Sequence, residues 1–244
     1  MSCDGVAPAS GAFTIGFIAA LAVESSILRR AAAGDDSWLV LQSGPGPQRA
    51  AAAAARALDG GARLLVSFGL AGSLDAAVAS GTVLAPRRVV AEGAAPLAVS
   101  ACWHARVAAL ADEFRLASGD LLTVSAALES PAAKRAAARA SGAVAVDMES
   151  AAVAAAAARA GVPFVALRVV VDALDDALPR GAEQWIDERG NRRLAPALRA
   201  VFSANQWRPL VTLARRYRLA RRVLERVAHA LAARRVLVDL AARS

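Results

Sequence analysis

The sequence predicts an α/β fold in which helices cover a largely buried sheet. Short apolar runs of about four to eight residues, which suit buried strands, alternate with longer segments that suit helices. The helical segments are rich in alanine, which is the best helix former and has no polar group to bury. We therefore expect helices that pack closely on both faces of the sheet.

The chain of 244 residues predicts a single main core. Apolar runs predict strands at residues 13–20, 38–42, 63–69, 82–90, 121–124, 143–146 and 164–171. Helices are predicted at residues 24–33, 48–58, 131–140 and 149–159. The small residues 69–73 predict a loop at the end of the third strand.

The positive charge lies near the C-terminus. The net charge is +8, and residues 208–244 hold ten arginines against two acidic residues. Apolar residues recur there at helical spacing, with the arginines mostly on the other side, which predicts a basic amphipathic helix. We therefore divide the chain into a catalytic domain, residues 1–206, and a helical extension, residues 207–244. Aromatic residues are sparse in the extension, so nucleic-acid binding is not predicted.

No stretch has the roughly 20 apolar residues with few charges that a spanning helix needs. The first twelve residues also lack a basic segment ahead of an apolar core, unlike a secretory signal. We expect a cytoplasmic protein. No Cys/His cluster has zinc spacing, so no metal site is predicted.

Charged residues lie where predicted strands end, which is where α/β folds place their sites. Glu24 follows the first strand, Asp147 and Glu149 lie at a strand–helix junction, and Arg168 and Asp172 belong to the last strand. Carboxylates stabilise an oxocarbenium-like transition state, protonate a leaving group or activate water. They also cap helices, and for Asp147 we favour the cap.

Four segments, in this order, resemble the purine nucleoside phosphorylase and methylthioadenosine/adenosylhomocysteine nucleosidase superfamily. They are residues 15–24 (IGFIAALAVE), 67–74 (SFGLAGSL), 146–152 (VDMESAA) and 164–172 (FVALRVVVD). The resemblance implies a three-layer α/β/α sandwich with a mixed central sheet. It also implies catalysis without a metal or organic cofactor, and assembly into a homo-oligomer.

The resemblance also implies roles for individual residues. Asp172 matches the acid that protonates or hydrogen-bonds purine N7, and Glu24 matches the carboxylate that activates water. Arg168 matches an arginine near the nucleophile. Glu149 matches the residue that binds the ribose 2′- and 3′-hydroxyls, with Met148 packing on the sugar.

A backbone segment is expected to help hold water or phosphate: Gly69, Leu70, Ala71 and Gly72. Leu70 replaces the family's usual hydroxyl residue in this segment, and Ser67 replaces its phosphate-binding arginine. A phosphate site is predicted instead at Gly44, Gly46 and Arg49. Glu24 favours hydrolysis, whereas phosphorolysis would use inorganic phosphate as co-substrate, and the sequence leaves both open.

Within the superfamily, the chain also resembles the hopanoid-associated phosphorylases. The similarity lies in residues 43–47 (SGPGP), 121–124 (LLTV), 130–134 (SPAAK) and the arginine-rich C-terminus. It implies that adenosylhopane is cleaved to adenine and a ribosyl or phosphoribosyl product. The alternatives are a nucleosidase for methylthioadenosine or adenosylhomocysteine, and a non-catalytic nucleoside-binding or membrane-peripheral protein. The sequence leaves two possibilities open for the basic helix: peripheral contact with the inner membrane surface, or packing on its own domain.

Overall fold

The computed structural model describes residues 13–178, 187–191, 207–233 and 236–237. The strands are β1 (Thr14–Ala19), β2 (Trp38–Gln42), β3 (Ala62–Ser73), β4 (Val83–Leu84), β5 (Arg88–Ala91), β6 (Leu97–Ala98), β7 (Leu116–Ala117), β8 (Leu121–Thr123), β9 (Ala145–Asp147) and β10 (Phe164–Asp172). The helices are α1 (Ala22–Ala31), α2 (Pro47–Asp59), α3 (Ala101–Ala108), α4 (Pro131–Ser141), α5 (Ser150–Ala160) and α6 (Trp207–Ala233).

The strands form one mixed sheet around β3. β1 pairs in parallel with β2 and with one edge of β3, and β10 pairs in parallel with the other edge of β3. β9 and β4 join antiparallel to β3 and β10 respectively. The main path runs β6-β5-β8-β9-β3-β10-β4-β7.

Helices cover both faces of this sheet. Because β1 lies between β2 and β3, the crossovers through α1 and α2 run in opposite directions, and right-handed crossovers place these two helices on opposite faces. α6 packs against α1 and β10, whereas α5 packs against α2 and β3. The predicted three-layer α/β/α sandwich with a mixed central sheet is confirmed.

The alanine-rich helices pack closely on the sheet, as the composition predicted. α2 buries Ala50, Ala53, Ala54 and Ala57. A Cβ on Gly16 of β1 would lie only 2.9 Å from the Cβ of Ala57. The short side chains therefore let α2 lie against β1 at a distance that a larger residue would prevent.

β3 is longer than predicted, and the loop expected at residues 69–73 is wrong. Gly69 and Gly72 pair with Arg168 and Asp172 of β10, and Gly72 also pairs with Val146 of β9. Tertiary pairing overrides the weak strand preference of these small residues. The segment proposed to hold water or phosphate is therefore part of the central strand.

The strand predicted at residues 82–90 is two strands. β4 pairs with β10, whereas β5 pairs with β8, so the chain changes neighbours between them. Pro86 lies at this change, and proline cannot donate a backbone hydrogen bond within a sheet.

The basic C-terminal segment forms α6, whose apolar side belongs to the main core. Ala220, Leu224, Val227 and Leu231 are buried there. Residues 192–206, just before the proposed domain boundary, lie outside the described residues, as does most of the chain beyond Ala233. In the part of the chain that the structure describes, no helix is long and apolar enough to cross a bilayer.

Candidate active site

A gap in strand pairing defines the candidate site. β1 pairs with β3 as far as Ser67, and β9 pairs with the same edge of β3 from Gly72 onward. Between them, residues 68–71 have no partner on this edge among the described strands. Glu24 and Glu149 follow the two strands that flank the gap, and Arg168 lies opposite Gly69 on β10.

Glu24 is a buried carboxylate held by backbone amides. The N–H groups of Leu21 and Leu70 donate to its two oxygens, each at 2.9 Å. The second amide is available because of the gap in pairing. A Cβ on Gly69 would lie 2.5 Å from Oε1 of Glu24 and 2.6 Å from Nη1 of Arg168, so both groups lie over this glycine. Burial raises the pKa of Glu24, and the nearby Arg168 opposes that rise.

Arg168 is one of the largest fully buried side chains among the described residues, and acidic and hydroxyl groups surround its guanidinium. Nη2 lies 2.6 Å from Oδ2 of Asp147 and 3.8 Å from Oε2 of Glu149. It also donates to the hydroxyls of Ser67 at 2.7 Å and Ser150 at 3.1 Å. These partners offset the cost of burying the cation.

Asp147 has two functions in the structure. Its carboxylate accepts from the first helical amide of α5, on Ser150, at 3.2 Å, as expected of an acid at a helix N-terminus, although the N-cap position itself is Glu149. The same carboxylate pairs with Arg168 and accepts the Thr123 hydroxyl at 2.7 Å. The sequence predicts the contact with the helix but not the ion pair.

Glu149 is a carboxyl group that titrates near neutrality. Its Oε1 accepts the backbone N–H of Gly46 at 3.0 Å, which ties the start of α2 to the site. Burial raises the pKa of Glu149 to about 7, and Asp147 and Glu24 add to the rise while Arg168 opposes it. A small change in surroundings can therefore change its charge near neutral pH.

Asp172, at the end of β10, forms a buried ion pair that was not predicted from the sequence. Nζ of Lys134 donates to its Oδ2, and the lysine side chain is 1% exposed. Burial raises the pKa of Asp172, and Lys134 opposes the rise. Gly72 leaves room for the carboxylate, because a Cβ there would lie 3.2 Å from Oδ2.

The remaining residues predicted to contact the nucleoside differ in their exposure. Leu70 and Met148 are half-buried and Ala71 is buried. Within the described ranges, no three His, Cys, Asp or Glu side chains are arranged as a metal site.

The groups predicted to hold phosphate have protein partners in the structure. The N–H of Gly44 donates to the carbonyl of Ala20 at 3.1 Å, and that of Gly46 donates to a carboxylate as described above. Nη2 of Arg49 lies 3.0 Å from Oε2 of Glu188. The phosphate site stays a prediction, and phosphate would have to displace these partners.

Two open cavities adjoin the site. One, of about 240 Å³, is lined by Asp172, residues 175–178, and Thr212 and Leu213 of α6. The other, of about 420 Å³, lies around Ser43 and Arg49. α6 therefore forms part of the wall next to Asp172.

Comparison with known proteins gives one family and many structures. The profile of the phosphorylase superfamily matches residues 28–203. A comparison with curated protein sequences finds no significant match.

Solved structures with the same fold include nucleosidases. The Neisseria meningitidis 5′-methylthioadenosine/S-adenosylhomocysteine nucleosidase, in complex with methylthio-immucillin-A, is 16% identical with a TM-score of 0.69, and the match covers 90% of this chain and 99% of that one. The Helicobacter pylori nucleosidase of the same name is 18% identical with a TM-score of 0.67, covering 93% and 97%. Native futalosine hydrolase of Helicobacter pylori is 19% identical with a TM-score of 0.64, covering 86% and 97%.

Proposed function

Because the chain belongs to the phosphorylase superfamily, we propose that it hydrolyses the N-glycosidic bond of an adenosine that carries a substituent on its 5′ carbon. The family match confirms the expected class of enzyme, a nucleoside phosphorylase or nucleosidase. The main observation in favour of hydrolysis is the buried Glu24 carboxylate, with its two backbone donors and its raised pKa.

Glu24 is the proposed general base. Each carboxylate oxygen has a second lone pair beyond the one that accepts the backbone N–H, so Glu24 can still accept a proton from water. A raised pKa makes it a better base at neutral pH than an ordinary glutamate. Arg168 and the amides of residues 21 and 70 fix its orientation.

The other two carboxyls act on the nucleoside. Asp172 is the proposed acid, because burial favours its protonated form. Glu149 is proposed to accept the 2′- and 3′-hydroxyls of the ribose, with Met148 against the sugar. Its negative charge, once formed, stabilises the positive charge that develops on the sugar.

The proposed step balances without a metal ion or an organic cofactor. The electron pair of the C1′–N9 bond moves to the purine, and the proton of Asp172 moves to N7. The water oxygen bonds to C1′ and its proton moves to Glu24. The products are adenine and a 5-substituted ribose, and the two carboxyls then exchange protons with solvent.

Hydrolysis is favoured over phosphorolysis by the groups around the nucleophile. The amides of Gly44 and Gly46 and Nη2 of Arg168 have protein partners, although Nε of Arg168 has none. Ser67 and Leu70 also replace residues that the resemblance implies would contact phosphate. A turnover rate that rises and saturates with phosphate, together with a phosphoribosyl product, would reverse this choice.

For the 5′ substituent we propose a large apolar group, as in adenosylhopane. This part rests on the resemblance of residues 43–47, 121–124 and 130–134 to hopanoid-associated phosphorylases. The second candidate is a small thioether, as in methylthioadenosine. It is supported by the similar fold of enzymes named as methylthioadenosine/adenosylhomocysteine nucleosidases.

The test is adenine release from adenosylhopane and from methylthioadenosine, with and without phosphate, followed by mass spectrometry of the sugar product. We expect free 5-substituted ribose at a rate that phosphate does not change. Glu24→Gln should lower kcat by about 10²-fold or more, because it keeps the shape and removes the base. Release from methylthioadenosine alone would select the second candidate, and release from neither would contradict the function.

We also propose that α6 holds the enzyme at an anionic lipid surface. Its buried side faces the core, and the opposite side exposes Arg215, Arg218 and Arg222, for which the structure describes no acidic partner. Val211 and Leu219 are 44% and 48% exposed on the same helix. Arginine beside exposed apolar residues suits a surface of anionic lipid.

Flotation with phosphatidylglycerol vesicles tests this surface. Deleting α6 would remove part of the core, so a charge variant is preferable. The triple variant R215Q/R218Q/R222Q should lose binding, whereas R56Q/R139Q/R159Q, which removes the same charge elsewhere on the surface, should keep it. Equal flotation of both variants would contradict the proposal. Sedimentation of the same samples without lipid tests the predicted homo-oligomer.

A further inference from the structure

Lys134 occupies an unusual position for a lysine. Of the eleven residues of α4, all of which the structure describes, only Lys134 is buried. The helix begins after Ser130, whose hydroxyl accepts the amide of Ala133 at 3.1 Å, and it lies largely at the surface. Lysine is almost never fully buried without a partner, because its charge is costly to remove from water. A buried lysine on an otherwise superficial helix therefore calls for a specific reason.

The ammonium group uses all three of its donors on one short segment. Nζ donates to Oδ2 of Asp172, to the carbonyl of Ala173 at 2.8 Å and to the carbonyl of Asp176 at 3.1 Å. These acceptors fix the lysine head and leave it no donor for substrate. Lys134 therefore acts on the site through Asp172 and not by direct contact with the nucleoside.

The charges around Asp172 come from three elements. Lys134 reaches it from α4, and Asp176 lies on the segment after β10. Arg216 of α6 pairs with Asp176, its Nη1 at 2.7 Å from Oδ2. Lys134 lowers the pKa of Asp172 against the larger effect of burial, whereas Asp176 raises it.

We propose that Lys134 is a positioning residue for the leaving-group acid: it holds the Asp172 carboxyl in one orientation and stabilises the carboxylate that remains after proton transfer. This inference rests on the proposed function. When the glycosidic bond breaks, the proton of Asp172 moves to purine N7 and the new negative charge appears on the carboxylate. Lys134 keeps its three protons and offers a charge-assisted hydrogen bond at the atom where that charge forms.

The test compares Lys134→Met with Arg135→Met. Arg135 is the adjacent residue and pairs at the surface with Asp175, so its variant removes the same charge without touching Asp172. K134M should lower kcat by about 10²-fold, the size expected for impaired general acid catalysis, with little change in KM. Its alkaline limb of kcat should move to higher pH, because the buried acid holds its proton more tightly. R135M should match the wild type in both respects.

Two further measurements separate positioning from a purely structural role. In an Asp172→Asn background, K134M should cause no further loss, because the residue it acts through is gone. Lys134→Arg keeps the charge but moves the donors, so its alkaline limb should coincide with the wild type while its kcat falls. If K134M does not fold, K134R alone provides the test. A wild-type pH profile in folded K134M, or wild-type kcat in K134R, overturns the proposal.

Carboxyl NMR of ¹³C-labelled aspartate distinguishes a failure of the proposed function from a failure of the proposed role of Lys134. The Asp172 signal, assigned by its absence in D172N, should titrate at higher pH in K134M than in the wild type. That shift in a protein that cleaves no nucleoside would refute the proposed function and leave the ion pair intact. Cleavage by the wild type without the shift would refute the role of Lys134 alone.

Discussion

Replacing Glu149 by glutamine should make the protein more stable at alkaline pH than the wild type. Unfolded, Glu149 has an ordinary pKa near 4.5, and burial in the folded protein raises that pKa to about 7. The folded state therefore binds a proton that the unfolded state has lost. The stability that this group contributes is complete below pH 4.5, falls as pH rises and is lost above pH 7.

The size of the effect follows from the two pKa values. Between pH 5 and pH 8, the wild type should lose about 2–3 kcal/mol of unfolding free energy through this one group. Glutamine mimics the protonated carboxyl, keeps an acceptor for the Gly46 amide and does not ionise, so E149Q should lose none of it. Glu24 works in the same direction, because its pKa is also raised and because it helps to raise that of Glu149.

Urea unfolding of both proteins at pH 5 and pH 8 measures this difference directly. The unfolding free energy of E149Q minus that of the wild type should be larger at pH 8 than at pH 5 by about 2 kcal/mol or more. The same variant should bind nucleoside more weakly, so the gain in stability accompanies a loss of function. A difference that does not change with pH, or that shifts toward the wild type, would refute the assignment of a raised pKa to Glu149.

Three other substitutions test the packing of the site. Asp147→Ala should reduce the unfolding free energy by about 3–5 kcal/mol in urea titrations, because it leaves Arg168 as a buried cation without its nearest partner. Gly69→Ala should cost about 1–3 kcal/mol and most of the activity, because its Cβ would overlap Glu24 and Arg168; melting curves and kcat measure the two effects. Ser67→Ala should cost about 1–3 kcal/mol, which calorimetry can separate from the larger loss at Asp147.

The sequence predicted those parts of the fold that depend on local pattern. The apolar runs marked β1, β2 and β10 to within one or two residues, and the alanine-rich runs marked α2 and α5. The far half of β3 was missed because its small residues become a strand only through pairing with β9 and β10. The break at Pro86 was missed because the change of neighbouring strand is a tertiary event.

For the site, the residue types at strand ends were predictable and their partners were not. Glu24, Glu149, Arg168 and Asp172 all stood out as charges beside apolar runs. Lys134 did not, because a lysine in a polar-sided helix is normally solvated and its acceptors lie 38 residues or more away along the chain. Only the fold shows that α4 brings this residue to the end of β10.

The site contains two charged clusters, one around the gap in β3 and one at the end of β10. They differ in their ratio of positive to negative groups. Around the gap in β3, one cation, Arg168, faces three carboxyls, and its shortest ion pair is with Asp147. The pKa values of Glu24 and Glu149 are raised, so the cluster can exist with its charges nearly balanced, and Glu149, with a pKa of about 7, can release its proton near neutral pH. A sugar that develops positive charge favours that release, since it stabilises each carboxylate formed beside it. At the end of β10 the opposite arrangement holds, because one lysine pairs with one aspartate and favours loss of its proton. In the proposed mechanism, the cluster around the gap therefore supplies negative charge to the sugar, and the pair at the end of β10 supplies a proton to the leaving base.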